Sequence, residues 1–115
     1  MHIGRLRQEF AKIPVPQEVR PVHDIEVKAK VGNAFVENRY VGRFGADNVL
    51  DSYRTNLANQ GWSFVGERSN DNGFTATFCK DEYEATLETH IEKAYSYYDF
   101  AMAWSDITIK ECSPP

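Results

Sequence analysis

The residues of this chain that could do chemistry gather around His90. Glu88 and His90 stand two positions apart in an alternating segment, so a strand would place both side chains on one face. With a third carboxylate they would form a metal or acid–base site, whereas the commoner interpretation of such a pair is a solvated strand face. His2 and His23 have no metal-ligand spacing to another histidine or to a cysteine. The sequence therefore predicts no metal site and no cofactor.

Sequence motifs for catalysis are also missing. The chain contains no G-x-S-x-G, P-loop or G-x-G-x-x-G pattern. Gly42 and Gly45 precede a predicted helix, but this spacing suits a strand-to-helix turn better than a phosphate loop. No nucleophile, base and orienting group converge, and the prediction is that the protein is not an enzyme.

Acidic and tyrosine side chains alternate through the same part of the chain. Between residues 81 and 99, six Asp and Glu residues are accompanied by Lys93 alone among the basic residues. Tyrosine is common at interfaces, and an acidic surface suits a basic protein partner. The alternative is that these acids keep a sheet soluble and guard its edge, while the tyrosines belong to the core. The predicted partner-binding residues are Glu82, Tyr83, Glu84, Glu88, His90, Glu92, Tyr95, Tyr97 and Asp99.

The net charge of −4 is unevenly distributed along the chain. Residues 1–60 hold nine basic and seven acidic residues, for +2, and residues 61–115 hold four basic and ten acidic residues, for −6. Such a surface argues against nucleic acid and anionic membranes as partners. No apolar run approaches the roughly 20 residues of a membrane helix. A basic protein is the predicted partner, and monomer and dimer both stay open.

One helix organises the predicted fold. Asp47 is the expected N-cap, and Gly61 is placed to end the helix in a left-handed conformation before Trp62 folds back. The apolar stripe of this helix consists of Val49, Leu50, Tyr53 and Leu57.

The segment before that helix contains a shorter helix and a hairpin. Ile3, Leu6, Phe10 and Ile13 predict an amphipathic helix, and residues 14–21 read as an extended linker. Gly32-Asn33 predicts a two-residue turn. That turn would pair opposite charges on the polar face, Lys28 with Glu37 and Glu26 with Arg39. Asn38 would then interrupt the apolar face without explanation.

Three or four further strands follow as a meander, the last running from Tyr98 to Trp104. A bulge or the end of this strand is expected near Ser105-Asp106. The predicted fold class is α+β, an antiparallel sheet of five to six strands with two helices on one face, in the order α-β-β-α-β-β-β-β. A single domain is predicted over 1–115, with a helix and Pro-rich linker in 1–21 and the core in 22–111.

The two cysteines bear on the cellular compartment. Cys79 and Cys112 lack metal-like spacing, and the favoured interpretation is free thiols in a reducing compartment, with a single disulfide as the alternative. The N-terminus, with charges among its apolar positions, does not resemble a signal peptide. The predicted location is cytoplasmic if this is the native start, and a chain trimmed of its leader would look the same.

The helix-to-strand stretch from Tyr53 to Trp62 resembles a motif of small bacterial α+β domains. In those, a helix of the pattern Y-x-x-x-L-x-x-x-G-W leads into a meander, whose Phe-Lys-like strand is matched by Phe78-Cys79-Lys80. Many occur in lipoproteins, and similar small acidic chains occur among immunity proteins that neutralise nuclease toxins. The resemblance covers residues 22–105 and carries no functional residue over. The resemblance speaks mainly to the fold, and the acidic balance of residues 61–115 leads to the favoured hypothesis, an immunity-type inhibitor of a basic, nuclease-like toxin. The alternative is a lipoprotein-like or envelope accessory domain expressed without its leader, although the sequence lacks a lipobox cysteine.

Overall fold

A computed structural model describes residues 2–92 and 95–113. Lys93, the single basic residue of the acidic stretch, lies outside them. The helices and strands are α1 His2–Ala11, β1 Val19–Pro21, β2 Glu26–Lys30, β3 Asn33–Gly42, α2 Ala46–Asn59, β4 Ser63–Asn70, β5 Gly73–Lys80, β6 Tyr83–Ile91, β7 Ser96–Ser105 and α3 Asp106–Cys112. None of the helices in these residues is long and apolar enough to cross a bilayer.

The seven strands form one antiparallel sheet, which confirms the predicted α+β class. Their order is β1-β3-β7-β6-β5-β4, and β2 also pairs with β3. Alternate residues of β3, β5, β6 and β7 are buried beneath α1 and α2, because side chains of a strand point to opposite faces in turn. We call the opposite side of the sheet the open face. Strands β6 and β7 lie in the middle of the sheet, paired on both sides.

Helix α2 has the predicted apolar stripe, but it begins differently. Val49, Leu50, Tyr53 and Leu57 are buried, as expected. The N-cap is Gly45, which makes no side-chain hydrogen bond, and Asp47 lies within the first turn, so its prediction as N-cap is wrong. In the first turn, the negative charge of Asp47 still interacts favourably with the positive end of the helix dipole.

The end of α2 follows the predicted arrangement. Gly61 has φ +89°, a left-handed conformation that suits glycine. The Gly61 amide donates to the Ala58 carbonyl and the Trp62 amide to the Leu57 carbonyl, both at 3.0 Å. This pair of bonds is a Schellman motif, and it directs Trp62 into the core.

The hairpin between β2 and β3 is displaced by two residues from the predicted register. Its turn is Val31-Gly32, and Gly32 takes the left-handed conformation at φ +85°. The observed register pairs Val27 with Val36, Lys28 with Phe35 and Glu26 with Glu37. The predicted opposite-charge pairs are therefore wrong. A slip of two keeps every side chain on its face, so the alternation of the sequence cannot detect it.

Asn38 is buried at the end of this hairpin and has a clear structural role. Its amide nitrogen donates to the His23 carbonyl at 3.0 Å, and its side-chain oxygen accepts from the Arg39 amide at 2.8 Å. Ile25 lies outside β2 and is half exposed. Asn38 therefore fastens the segment before β2 to β3, which no pattern of apolar residues reveals.

The predicted linker over 14–21 ends in strand β1, an error that explains the seventh strand. Val19 is buried and pairs with Gly42, and Pro21 pairs with Tyr40. Pro21 is at the edge of the sheet, where a missing amide is tolerated. A three-residue strand is too short to give an alternating pattern.

Beyond β7 the chain turns into α3, a helix that was not predicted. The strand ends at Ser105, which was one of the two predicted alternatives, the other being a bulge. The Ser105 hydroxyl accepts from the Thr108 amide, and the Thr108 hydroxyl accepts from the Ser105 amide at 2.8 Å. This reciprocal capping box starts the helix. Ile107 and Ile109 do not continue the alternation of apolar residues in β7, because they belong to this helix.

Cys79 and Cys112 form a disulfide, so the prediction of free thiols is wrong. Cys79 is on the open face of β5, and the bond fixes the end of α3 there. The C-terminal segment through Cys112 is thus attached to the sheet. Sequence spacing could not reveal the pairing, because 33 positions separate the two cysteines and α3 brings them together.

Helix α1 is held on the side of the sheet opposite the open face by a buried ionic network. Glu9 is 4% exposed, and its carboxylate accepts from Lys80 at 2.9 Å and from Lys12 at 3.3 Å. The Lys80 ammonium also donates to the Gln60 carbonyl at 2.7 Å. One lysine of β5 therefore joins α1 to the end of α2.

Candidate functional site: the open face of the sheet

The open face brings together five of the nine predicted partner-binding residues. Strand pairing places Glu88 directly opposite Asp99 and His90 opposite Tyr97. Glu84 precedes Glu88 on β6 by an even number of positions, so its side chain lies on the same face. The alternation of β6 and β7 was therefore sufficient to predict that these side chains share a surface.

At the centre of this face lies a compact group that we call the central cluster, consisting of Arg39, Glu88, His90, Tyr97 and Asp99. The His90 Nε2 and the Glu88 Oε1 are hydrogen-bonded at 2.9 Å. The Asp99 carboxylate accepts from the Arg39 Nε at 2.8 Å and from a terminal guanidinium nitrogen at 3.0 Å. Tyr97 connects the two pairs: its ring stacks on His90 at 4.6 Å and lies 4.4 Å below the Arg39 guanidinium.

Arg39 is the member of the central cluster that the sequence did not reveal. It was predicted to face Glu26 across the hairpin, whereas it lies opposite Asp99 because β3 pairs with β7. The fork geometry of the two hydrogen bonds makes this a well-defined ion pair, and the hydrogen bond to Asp99 raises the pKa of Arg39. The outward phase of Arg39 on β3 was visible in the sequence, but its neighbour strand was not.

Towards α3, Glu84 meets a second carboxyl group. Burial and a hydrogen bond with Glu111 raise the pKa of Glu84 to about 7. These two side chains lie at a cavity of about 460 Å³, which Arg68, Thr75 and Thr77 also line. No ion pair among the described residues includes Glu84. Glu111 was missed because α3 was not predicted.

Glu37 is another half-buried acid on this face. Burial is the largest cause of the raised pKa of Glu37, and the negative charges of Asp99 and Glu26 raise this pKa further. Among the described residues, Glu37 also takes part in no ion pair. On the open face of β3, β6 and β7 there are thus four carboxylates, and Arg39 is the one lysine or arginine, already bound to Asp99.

Two predicted partner-binding residues lie elsewhere. Tyr83 is buried on the helix side, where its hydroxyl is 2.7 Å from the His2 Nδ1 and its ring is 5.2 Å from the Arg5 guanidinium. Glu82 is in the turn before β6 and accepts from the Trp104 indole at 3.1 Å. Tyr83 holds the start of α1 on the sheet, Glu82 contacts β7, and neither residue belongs to the open face.

The remaining two, Glu92 and Tyr95, are exposed and come directly before and after residues 93–94. The Tyr95 ring is 6.4 Å from that of Tyr97 and roughly parallel to it. Tyr95 therefore extends the aromatic part of the central cluster to the end of the sheet.

The open face combines charged, aromatic and hydrogen-bonding groups within a few ångströms of each other. It has acids, an arginine, a histidine and the aromatic rings of Tyr95 and Tyr97, and Ser69 lies at the same cavity as His90. No protein-family model, curated protein or solved structure matches this chain. Its function has to be inferred from the geometry of this face.

Proposed function

We propose that this chain is a non-catalytic protein-binding domain whose open face docks on a basic partner. The observation that carries the proposal is the Glu84–Glu111 pair, in which burial and a neighbouring acid raise the pKa of Glu84 to about 7, while no ion pair among the described residues includes Glu84. A lysine or arginine from a partner would supply the missing positive charge. Binding would then favour the ionised form of Glu84 and relieve the repulsion.

The central cluster adds anchoring groups to this charge. Tyr97 and Tyr95 present aromatic rings at the end of the face, and Arg39 is fixed in place by Asp99. Tyrosine and arginine are frequent among residues that dominate binding energy at interfaces. Glu88, whose side chain is 46% exposed, provides a further charge for steering a cationic partner.

The specific form we propose is an immunity-type inhibitor that neutralises a basic, nuclease-like toxin domain. A nuclease must carry positive charge to hold nucleic acid, and an acidic inhibitor matches that charge. Electrostatic steering of this kind speeds association and weakens with salt. The acidic balance of residues 61–115 supports this form.

The test is a pull-down from the source organism with tagged protein at low and at high salt. The expected partner is a small basic chain that is lost as salt rises. Glu84→Lys combined with Glu88→Lys should lower its recovery and its association rate at least about tenfold. Asp24→Lys combined with Asp51→Lys changes the net charge equally away from the central cluster and should leave binding nearly unchanged. Equal effects from the two double variants would refute docking through this face.

A second candidate is an accessory domain of the bacterial envelope, and the disulfide favours it. Structural disulfides persist in oxidising compartments, whereas cytosolic thiols are kept reduced. Cell fractionation with thiol alkylation of Cys79 and Cys112 separates the two candidates. An alkylation-resistant pair in the envelope fraction supports the accessory domain, and alkylated thiols in the cytoplasm support the cytoplasmic inhibitor.

A further inference from the structure

We propose that Glu88, His90 and Asp99 bind a divalent transition-metal ion, with Zn²⁺ as the expected ion. Their ligand atoms, one imidazole nitrogen and two carboxylate oxygens, all lie within 4.8 Å of one another. The site needs no protein partner, so it stands independently of the docking function proposed above.

The three ligands are held by rigid backbone. Glu88 and His90 are two positions apart on β6, and Asp99 is directly opposite Glu88 on β7. Both strands are paired on each side, and the His90 ring is stacked on Tyr97. Zn²⁺ holds nitrogen and oxygen ligands at about 2.0–2.2 Å, which puts ligand atoms roughly 3.4 Å apart in a tetrahedron. Metal binding therefore requires the three ligand atoms to move closer together than their present separations of up to 4.8 Å.

The donor set selects the class of ion. Imidazole suits Zn²⁺, Cu²⁺ and Ni²⁺, whereas Ca²⁺ and Mg²⁺ prefer an all-oxygen environment. Three protein ligands leave a fourth position for water. A cavity of about 360 Å³ adjoins Glu88 and His90 and extends to Asn70 and Thr75, so there is room for that water.

Arg39 competes with the metal ion for Asp99. Its guanidinium takes both carboxylate oxygens, at 2.8 and 3.0 Å. A bound ion must displace Arg39 from at least one of them, and the positive charge of Arg39 also opposes the ion. Arg39→Gln should therefore strengthen metal binding, an effect that a merely structural role of the cluster would not give.

The experiment is calorimetric titration of the full, oxidised chain with ZnCl₂ in a buffer that does not chelate, repeated with Co²⁺ for its visible absorption. The disulfide keeps both cysteines from acting as ligands. We expect one ion per chain and an intense tetrahedral Co²⁺ spectrum. His90→Ala and Glu88→Gln should each weaken binding at least about tenfold, and Arg39→Gln should tighten it about threefold or more.

His23→Ala is the matched control, because His23 is exposed and outside the cluster. It should bind as the parent chain does, and circular dichroism should confirm that every variant is folded. Binding that survives in His90→Ala, binding lost in His23→Ala, or no binding below millimolar Zn²⁺ would each overturn the proposal. Weaker binding in Arg39→Gln would overturn the competition with Asp99.

Discussion

Removing the disulfide should cost this domain a large share of its stability. Cys79 and Cys112 are 33 positions apart, and closing a loop of that length removes about 12.5 cal/mol/K of entropy from the unfolded chain. At 25 °C this corresponds to about 3.7 kcal/mol. Small domains have a total free energy of unfolding of only about 5–15 kcal/mol. For 115 residues the same change lowers the melting temperature by about 15 °C.

The assay is urea unfolding of the oxidised chain with and without a phosphine reductant, alongside Cys79→Ala/Cys112→Ala. The reduced chain and the double variant should unfold at similar, lower urea concentrations, and reductant should not affect the variant. Thiol titration in denaturant should find no free thiol before reduction and two afterwards. Two free thiols in the untreated protein, with no effect of reductant on its unfolding, would refute the pairing and the stability derived from it.

Reduction should also have a local effect at α3. A helix of seven residues is not stable by itself, and the disulfide fixes its last residue to β5. Hydrogen exchange of the amides from Ile109 to Cys112 should therefore accelerate in the reduced chain before the core opens. If exchange accelerates equally in β6 and β7, the helix is not the separately tethered element that the fold indicates.

Two further predictions concern the half-buried Glu84 and the buried Glu9. Burial and the neighbouring Glu111 raise the pKa of Glu84 from the ordinary 4.5 to about 7. Between these two pH values the native protein keeps a proton that the unfolded chain releases, so the free energy of unfolding falls as pH rises. After allowance for solvent screening, Glu84→Gln should raise the free energy of unfolding by about 1 kcal/mol at pH 8. The urea midpoint of this variant should fall less between pH 5 and pH 8 than that of the parent chain. The control Glu92→Gln should show the same fall as the parent chain. Glu9→Gln should lower the free energy of unfolding by about 3 kcal/mol, because it leaves the Lys80 ammonium poorly paired. A loss below about 1 kcal/mol in denaturant unfolding would contradict this view of the network.

Local signals in the sequence were sufficient for most of the architecture. The apolar stripe of α2 and the glycine at position 61 define a helix and the local backbone geometry at its end. The alternation from Tyr83 to Ile91 likewise determines which side chains of β6 reach the open face. Such features depend on residues within a few positions of each other, and therefore no knowledge of tertiary contacts is needed.

The errors arose where distant parts of the chain decide the outcome. The β2–β3 register could slip by two residues without moving any side chain to the wrong face, and Asn38 was unexplained until the His23 carbonyl came beside it. A capping box at Ser105 and Thr108 marks α3 in the sequence, yet the apolar run of β7 obscured it. Helix α3 in turn was needed to bring Cys112 to Cys79.

The candidate site depends both on local signals in the sequence and on contacts between distant parts of the chain. Glu88 and His90 are neighbours on one strand, so the sequence placed them together, but the third carboxylate and the arginine that binds it depend on which strands flank β7. Strand β3 precedes α2 and β7 is the last strand, so their pairing joins distant parts of the chain and is not set by any short turn. The ion pair of Arg39 with Asp99 follows from that pairing. The same ion pair governs whether Asp99 is free to bind a metal ion, and for this reason the effect of Arg39→Gln on Zn²⁺ affinity tests the tertiary arrangement as well as the site.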